Sequence, residues 1–421
     1  MYSLRRFGIK LGLDVIYNIL DGLGNPENSF FCIHVAGTNG KGSVASMLAA
    51  ILQYAGFNVG LYTSPHLIRF NERIRINGKM VTDADIVESF QAVKQVHYGD
   101  REPTFFEYTT AMAFYVFSRK NVDWAIIETG MGGRLDATNI VCPKVSVITN
   151  ISMEHQMYLG HTIKDIAFEK GGIIKPDTPV VTGVKQKISK DVLKKIATEK
   201  SAGVFQFKTD FNVRRNKKGG FSYFGIDHVW RDLRTGLHGR HQMDNAALAL
   251  CACELLMNGN MGVSKGRITY SHVKTGLEKN IWPGRLQILK TSPLIVIDGA
   301  HNLAAIRNLK QFLSENLGGR DLTLVVGILD DKSYKTMLRH LLPFCSKVII
   351  THPKIDRSLA PEKLYTVAKQ MVPDVRIISD VPEAVASAIE TASPEGAVLV
   401  AGSLYLVGET MEAIEKGVVV I

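Results

Sequence analysis

Phe30–Leu52 reads FFCIHVAGTNGKGSVASMLAAIL. Its first part, Phe30–Ala36, is apolar and rich in aromatic and β-branched residues, which favours a strand. Gly42–Ala55 then predicts a helix. Between them lies Gly37-Thr38-Asn39-Gly40-Lys41-Gly42-Ser43. A strand that passes through a glycine-rich loop straight into a helix is the setting in which backbone N–H groups cradle phosphates. The helix N-terminus adds its positive dipole end, and Lys41 brings a mobile point charge for the β- and γ-phosphates. The spacing departs from GxxxxGK[ST]: the first glycine is closer to the lysine, and Gly42 separates Lys41 from Ser43. A glycine turn without a ligand has the same letters, so the strand and helix on either side are what make it a phosphate loop.

Further along, Trp124–Glu128 (WAIIE) is an apolar strand that ends in a carboxylate, and Val145–Asn150 is another that leads to Ile151–His155. Open α/β sheets bind ligands beyond the carboxyl ends of their strands. A carboxylate there, facing a phosphate loop, suits Mg²⁺. Glu128 is therefore a metal candidate, followed by Gly130–Asp136 (GMGGRLD), whose glycines permit close backbone approach. A histidine is ordinarily structural, but the place of His155 after a strand end of the same sheet makes a metal or phosphate role an equal alternative. Lys170 closes a helix predicted over Thr162–Lys170, where it would also complement the helix dipole. Late in the chain Leu294–Asp298 repeats the pattern, followed by Gly299-Ala300-His301-Asn302. Asp298 and His301 can serve a nucleotide, and an Asp/Asn helix cap accounts for the same letters.

The rest of the chain follows the same rhythm. Strands are expected at Asn58–Thr63, Pro179–Gly183 and Val204–Phe207, and helices at Asp83–His97, Phe105–Lys120 and Gln242–Met257. Such alternation predicts a parallel sheet with helices on both faces. Phe211–Ile226 is basic and glycine-rich, and reads as a small antiparallel hairpin with a solvated charged face. Pro283 and Gly284 in Ile281–Leu286 (IWPGRL) interrupt both patterns. After them come strands at Leu294–Asp298, Leu322–Ile328, Lys347–Thr351, Val375–Ser379 and Ala397–Ala401, with a helix at Leu303–Leu317. The expected division is 1–281, a hinge at 282–287, and 288–421, with the nucleotide between two α/β domains.

The 421 residues are 46% hydrophobic, 21% charged and 8% aromatic, an ordinary globular balance that excludes disorder and collagen-like structure. Five cysteines without a CxxC pair argue against a disulfide framework or a zinc site and suit a reducing cytoplasm. No apolar run is long enough for a membrane span. The start, MYSLRRFGIKLGLDVI, lacks the apolar stretch of a secretory signal. Lys plus Arg (50) exceeds Asp plus Glu (40), giving a net charge of +10. That excess fits nucleic acid or small anions drawn to a basic cleft. A basic helix interleaved with aromatics is missing from the sequence, so the nucleic-acid reading has little else behind it.

Taken together, GTNGKGS (Gly37–Ser43), TSPHLIRFNERIRI (Thr63–Ile76), TFFEYT (Thr104–Thr109), ETGMGGRLDATN (Glu128–Asn139), GRHQMDNAA (Gly239–Ala247), WPGRL (Trp282–Leu286), DGAHN (Asp298–Asn302) and GSLYLVG (Gly402–Gly408) resemble the folylpolyglutamate synthase/dihydrofolate synthase branch of the Mur ligases. The resemblance covers essentially the whole chain. It implies an α/β fold with a P-loop central sheet domain and a smaller Rossmann-like C-terminal domain. It also implies ATP held by Thr38, Asn39, Gly40, Lys41, Gly42, Ser43, Asn245, Arg285 and Asp298. Ser64, Glu128 and His155 look like ligands for Mg²⁺, two ions in all. Lys41, Lys170 and His301 would be catalytic, with Lys170 carbamylated. Thr104, Phe105, Phe106 and Glu107 resemble the segment that contacts dihydropteroate. A monovalent cation, a monomer, a cytoplasmic setting, and no nucleic-acid or membrane partner complete the expectation. Thr129, Met131, Ile151–Glu154 and Gly171-Gly172 depart from the commoner family wording, which bears on loop shape and pterin preference.

The implied reaction joins L-glutamate to dihydropteroate or to reduced folates. A carboxylate is a poor electrophile, so phosphoryl transfer first makes an acyl phosphate, which the glutamate amine then attacks. Positioning and charge stabilisation carry that chemistry. A chain-extending synthase alone, and a Mur ligase acting on a UDP-muramyl precursor, share the same phosphate loop. A nucleotide-regulated nucleic-acid binder is the remaining alternative.

Overall fold

The computed structural model describes residues 12–217, 219–258 and 267–421. Met1–Leu11 of the stretch read for a signal, and Lys218 of the basic segment, lie outside the described residues. The chain groups into two units. One runs through His66 and takes in Phe70–Gly236 and Gln242–Ile281; the other comprises Leu67–Arg69, Leu237–His241 and Trp282–Ile421.

In the first unit the apolar runs form one eight-stranded sheet. Its strands are β1 (Phe31–Ala36), β2 (Val59–Tyr62), β3 (Ile74–Ile76), β4 (Lys79–Met80), β5 (Trp124–Glu128), β6 (Val145–Ile148), β7 (Val180–Thr182) and β8 (Val204–Gln206), in the order β4-β3-β2-β5-β1-β6-β7-β8. β1 lies inside, parallel to β5, with Val35 opposite Glu128, and to β6, with Ala36 opposite Ile148. Its residues are almost wholly buried, which is why the strand reads as an unbroken apolar run and not as an alternation. The helices expected around the sheet form at Lys41–Tyr54, Asp83–Lys94, Phe105–Arg119, Ile163–Gly171 and His241–Asn258. Phe114 and Phe117 pack with Val15, Ile16, Tyr62 and Ile127 in one core cluster. Ile166, Ile173 and Leu193 pack with Ile148 and Val180 in another.

The antiparallel β3 and β4 extend the sheet at one edge. β3 falls inside the TSPHLIRFNERIRI stretch, where charged residues hide the strand pattern, and β4 lies just beyond it. The basic hairpin is instead a three-stranded antiparallel sheet of β9 (Asn212–Arg215), β10 (Phe221–Phe224) and β11 (Val229–Leu233). β11 was not expected because VWRDL buries only Trp230 and Leu233, leaving a weak apolar signal. Glu254, fully buried, holds the turn between β10 and β11: it accepts from the Tyr223 hydroxyl (2.7 Å) and from the N–H groups of Ile226, Asp227 and His228.

The second unit has a six-stranded sheet of β12 (Gln287–Thr291), β13 (Leu294–Asp298), β14 (Leu322–Val326), β15 (Lys347–Ile350), β16 (Asp374–Ile377) and β17 (Ala397–Ala401), ordered β12-β13-β17-β14-β15-β16. All neighbours are parallel except β12, which pairs antiparallel with β13 at an edge. β12 was not expected; it begins at the end of the stretch read as a hinge. Among the described residues no helix is long and apolar enough to cross a membrane.

Candidate functional site

The carboxyl end of β1 delivers the phosphate loop, and two glycines permit its shape. Gly37 has φ +144° and leaves no room for a Cβ beside the Thr149 hydroxyl. Gly40 has φ +86°, and a Cβ there would stand 2.5 Å from Asn245 Oδ1. The left-handed region and the close approach both demand glycine. The loop is then locked from the segment after β6. Thr38 N–H donates to the Asn150 carbonyl (2.9 Å), and Asn39 N–H to Asn150 Oδ1 (3.0 Å). The Asn39 carbonyl accepts from Thr149 Oγ1 and Asn150 Nδ2, both at 2.7 Å. Ser152 N–H donates to Thr38 Oγ1 at 3.0 Å. Thr149 and Asn150 are the residues that sequence reading missed. Their position at the end of a strand beside β1 was the available signal.

Lys41 begins the following helix, and its Nζ donates to the carbonyls of Gly37 (3.1 Å) and Thr38 (3.4 Å). Lys170 reaches the same place from the helix Ile163–Gly171. It is buried, and its Nζ donates to the Gly37 carbonyl (2.9 Å) and to Glu154 Oε1 (2.7 Å). Two ammonium groups thus meet at one carbonyl oxygen. Burial, with the like charge of Lys41, lowers the pKa of Lys170 against the opposing pull of Glu154. Burial would raise Glu154, but the charges of Lys170 and Lys41 prevail and hold it down to about 2. Glu154 is marked in the sequence only as a departure from family wording; in the structure it pairs with the unmodified Lys170.

Glu128 is buried at the end of β5, and its Oε2 accepts from Ser64 N–H at 3.2 Å. His155 is exposed, with φ +46°, at the start of the short helix Gln156–Leu159. Among the described residues no group of three or more His, Cys, Asp or Glu forms a metal cluster. One carboxylate, one hydroxyl and one imidazole still fit Mg²⁺, which takes few protein ligands, keeps several waters and shares phosphate oxygens. The glycine loop after Glu128 is set by Asp136, whose carboxylate accepts from Met131 N–H (2.8 Å) and from Thr138 N–H and Oγ1. Asn245 lies buried in the first turns of the helix His241–Asn258, hydrogen-bonded to Gln242 and against Gly40. Gly42 and Ser43 complete the first helical turn after the loop.

The TFFE segment divides into two functions. Thr104 caps the helix Phe105–Arg119: its hydroxyl accepts from Glu107 N–H, and Glu107 Oε2 accepts from Thr104 N–H (2.8 Å) and Oγ1 (2.8 Å). Arg101 donates to both oxygens of Glu107, at 2.6 and 2.9 Å. Glu107 is only 2% exposed, so its acceptors are committed to the cap and to Arg101. Glu107 thereby fixes the start of the helix that carries Phe105 and Phe106; its expected contact with dihydropteroate is part of the proposed function. Phe105 and Phe106 remain half-exposed at the helix start. The Arg73 guanidinium lies over the Phe105 ring at 5.3 Å, and Phe106 packs near Tyr62 and under Gly130.

In the second unit Asp298 ends β13. Its carboxylate accepts from Leu286 N–H (2.8 Å) and Ala300 N–H (2.9 Å), which shapes the turn. Burial raises its pKa, opposed by Arg285 nearby. The helix cap is Asn302, which accepts from Ala305 N–H, so the capping alternative falls on Asn302 and not on Asp298. His301 Nδ1 lies 2.8 Å from the Gly299 carbonyl. A carbonyl only accepts, so Nδ1 carries the hydrogen, and in the neutral form of the ring Nε2 is the nitrogen that can accept a proton.

A parallel sheet with a locked phosphate loop, joined to a second α/β unit, is the architecture of the Mur ligases. The model of the Mur ligase middle domain matches residues 35–253, and that of the Mur ligase glutamate ligase domain matches residues 284–404. The dihydrofolate synthase/folylpolyglutamate synthase of Bacillus subtilis is 36% identical over 96% of this chain and 95% of its own. The solved Escherichia coli FolC in complex with DHPP and ADP superposes with a TM-score of 0.90 at 29% identity, covering 99% of this chain and 97% of its own. The bifunctional Yersinia pestis enzyme complexed with AMPPNP and Mn ion gives a TM-score of 0.86 at 30% identity, covering 97% and 94%. The chain belongs to the dihydrofolate synthase/folylpolyglutamate synthase family of the Mur ligases.

Proposed function

We propose that the protein is an ATP-dependent ligase that adds L-glutamate to dihydropteroate and to reduced folates. The observation that carries this reading is the meeting of Lys41 and Lys170 on the Gly37 carbonyl of a locked phosphate loop. Family membership supports the choice of substrates, and the bifunctional names of relatives support both steps.

The chain's own groups divide the work. Loop N–H groups and Lys41 hold the ATP phosphates and offset charge as the substrate carboxylate oxygen attacks the γ-phosphorus. The bond from phosphorus to the ADP oxygen breaks, leaving an acyl phosphate. Asn245 keeps Gly40 in place, and Arg285 and Asp298 add nucleotide contacts. Ser64, Glu128 and His155 would hold Mg²⁺, two ions being expected, which when bound supplies electrophilic stabilisation of phosphate oxygens. The glutamate nitrogen then attacks the acyl carbon; phosphate leaves with the C–O electron pair, and the nitrogen gives up a proton. The Nε2 lone pair of His301 is suited to take it. Phe105 and Phe106 offer rings on which a flat pterin stacks.

Lys170 is carbamylated in this reading. Its neutral amine nitrogen attacks CO₂ and loses a proton, which turns a cation into an anion. A lowered pKa favours this because only the neutral amine reacts. The proposal includes a monovalent cation, and a monomer acting in the cytoplasm without nucleic-acid or membrane partners; five free cysteines suit that compartment.

The test is mass spectrometry of products from dihydropteroate and from tetrahydrofolate, each with ATP and glutamate. The expected result is one added glutamyl residue on each, with one ADP per residue added. Extension of tetrahydrofolate alone would reduce the reading to folylpolyglutamate synthase. Reaction of neither would overturn it.

A further inference from the structure

The basic segment is absorbed neither by the phosphate loop nor by the family's chemistry. Together with the helix Tyr270–Lys279 its sheet encloses an open cavity of about 660 Å³ within the first unit. Lys217, Arg231, Arg234 and Lys274 line it, against two carboxylates, Asp232 and Glu278. Among the described residues none of the four cations makes an ion pair with a carboxylate. Asp232 itself is turned toward the Asn216 amide (3.5 Å). The wall is fixed from below: the Tyr270 hydroxyl donates to the Arg231 carbonyl (2.7 Å), and the buried Glu254 holds the turn between β10 and β11. β9 to β11 and this helix carry none of the candidate site residues.

We propose that this cavity is a second anion site, which takes a small molecule bearing several anionic groups in a row. Four cations facing two acids leave excess positive charge in a concave place, which concentrates anions. Two of the cations are arginines, whose planar forks match carboxylate or phosphate oxygens in pairs. A concavity of this size suits a small ligand and is no track for a duplex. The same chemistry comes from two sources, the carboxylates of an oligoglutamate or the phosphates of an oligophosphate. Choosing the oligoglutamate as a probe rests on the proposed reaction, whereas the cavity's charge does not.

Isothermal titration of the full chain with a γ-linked pentaglutamate and with tripolyphosphate tests the site. The comparison is between the wild-type chain, Arg231→Glu/Arg234→Glu, and a control with the same change of net charge, Lys190→Glu/Lys194→Glu, on the separate helix Lys187–Glu199. At least one probe is expected to bind with submillimolar Kd, at least tenfold weaker to the double variant and unchanged in the control. Tighter pentaglutamate assigns carboxylates, and tighter tripolyphosphate assigns phosphates. Absence of binding, or equal weakening in the control, overturns the site, because the latter reports net charge alone. Ligase activity on a monoglutamate substrate should be unchanged in the double variant. Loss of the proposed ligase activity in the wild-type chain leaves the binding result standing, so the two readings fail separately.

Discussion

Lys41 and Lys170 crowd the same carbonyl oxygen, yet their environments assign them different tasks. Lys41 is partly exposed on the loop and free to follow phosphate, so Lys41→Ala should lower ATP-dependent ADP release by at least about 100-fold, near 3 kcal/mol of transition-state stabilisation. Far-ultraviolet circular dichroism should be unchanged; near wild-type release would remove the phosphate-loop assignment. Lys170 is buried beside Glu154, with its pKa lowered. With ¹³C-bicarbonate a carbamate carbon resonance is expected in the wild-type protein and not in Lys170→Arg. An active enzyme with an unmodified lysine mass would sink the carbamate. His34 provides a third residue-scale case. Thr138 Oγ1 donates to Asp136, so His34 Nε2–H must donate to Thr138 (2.8 Å), and Nδ1 is left buried without a partner. Burial, then the Lys175 charge, lowers its pKa from 6.5 to about 3. Between those values the unfolded chain binds a proton that the native state does not, so stability falls as pH drops below 6.5, by about 1.4 kcal/mol per pH unit. His34→Asn removes this linkage. Urea unfolding should show the wild-type advantage over His34→Asn shrinking by about 2 kcal/mol from pH 6.5 to pH 5; a constant difference would contradict the neutral buried imidazole.

At the scale of elements, what could be read from sequence was what local sequence controls. β1, its loop and the next helix were legible because strand propensity, glycine conformation and helix initiation are contiguous. The clamp on that loop was not, since Asn150 meets Asn39 across 111 residues, and sequence proximity carries no trace of it. β11 escaped because its two buried residues, Trp230 and Leu233, are separated by charges. The TFFE helix shows a motif whose letters also serve local structure. Its capping box satisfies backbone donors at the helix start, and Arg101 neutralises the buried Glu107. Thr104→Ala should cost about 1 kcal/mol of stability and raise the pterin KM more than it lowers kcat, because Phe105 and Phe106 would sit on a frayed first turn. Thr104→Ser should restore both, since it keeps the oxygen acceptor. Urea unfolding with steady-state kinetics checks this; a kcat loss with unchanged stability would instead make Thr104 a group that touches substrate.

For the molecule as a whole, the six-stranded sheet of the second unit explains why the α/β rhythm resumes after Pro283 and Gly284, but the recruitment of Leu67–Arg69 and Leu237–His241 into that unit was hidden because it joins segments far apart in sequence. The +10 charge has small-anion partners once ATP, glutamate and folate carboxylates are the proposed ligands and a basic cavity lined by none of the candidate site residues is added to them. The cysteines report on the packing of the entire chain. All five are free, and only Cys142 is exposed. Burial raises the thiol pKa of Cys32, Cys253 and Cys345 to about 12, and raises that of Cys251 as well. Cys345 also donates to the Leu341 carbonyl at 3.3 Å. Because the thiolate is the reactive form and must be reached by reagent, Ellman titration of the native protein at pH 8 should count one fast thiol, lost in Cys142→Ser. Guanidinium should bring the count to five. Two or more fast native thiols would mean that one of the cores around Cys32, Cys251, Cys253 or Cys345 opens far more readily than its burial implies.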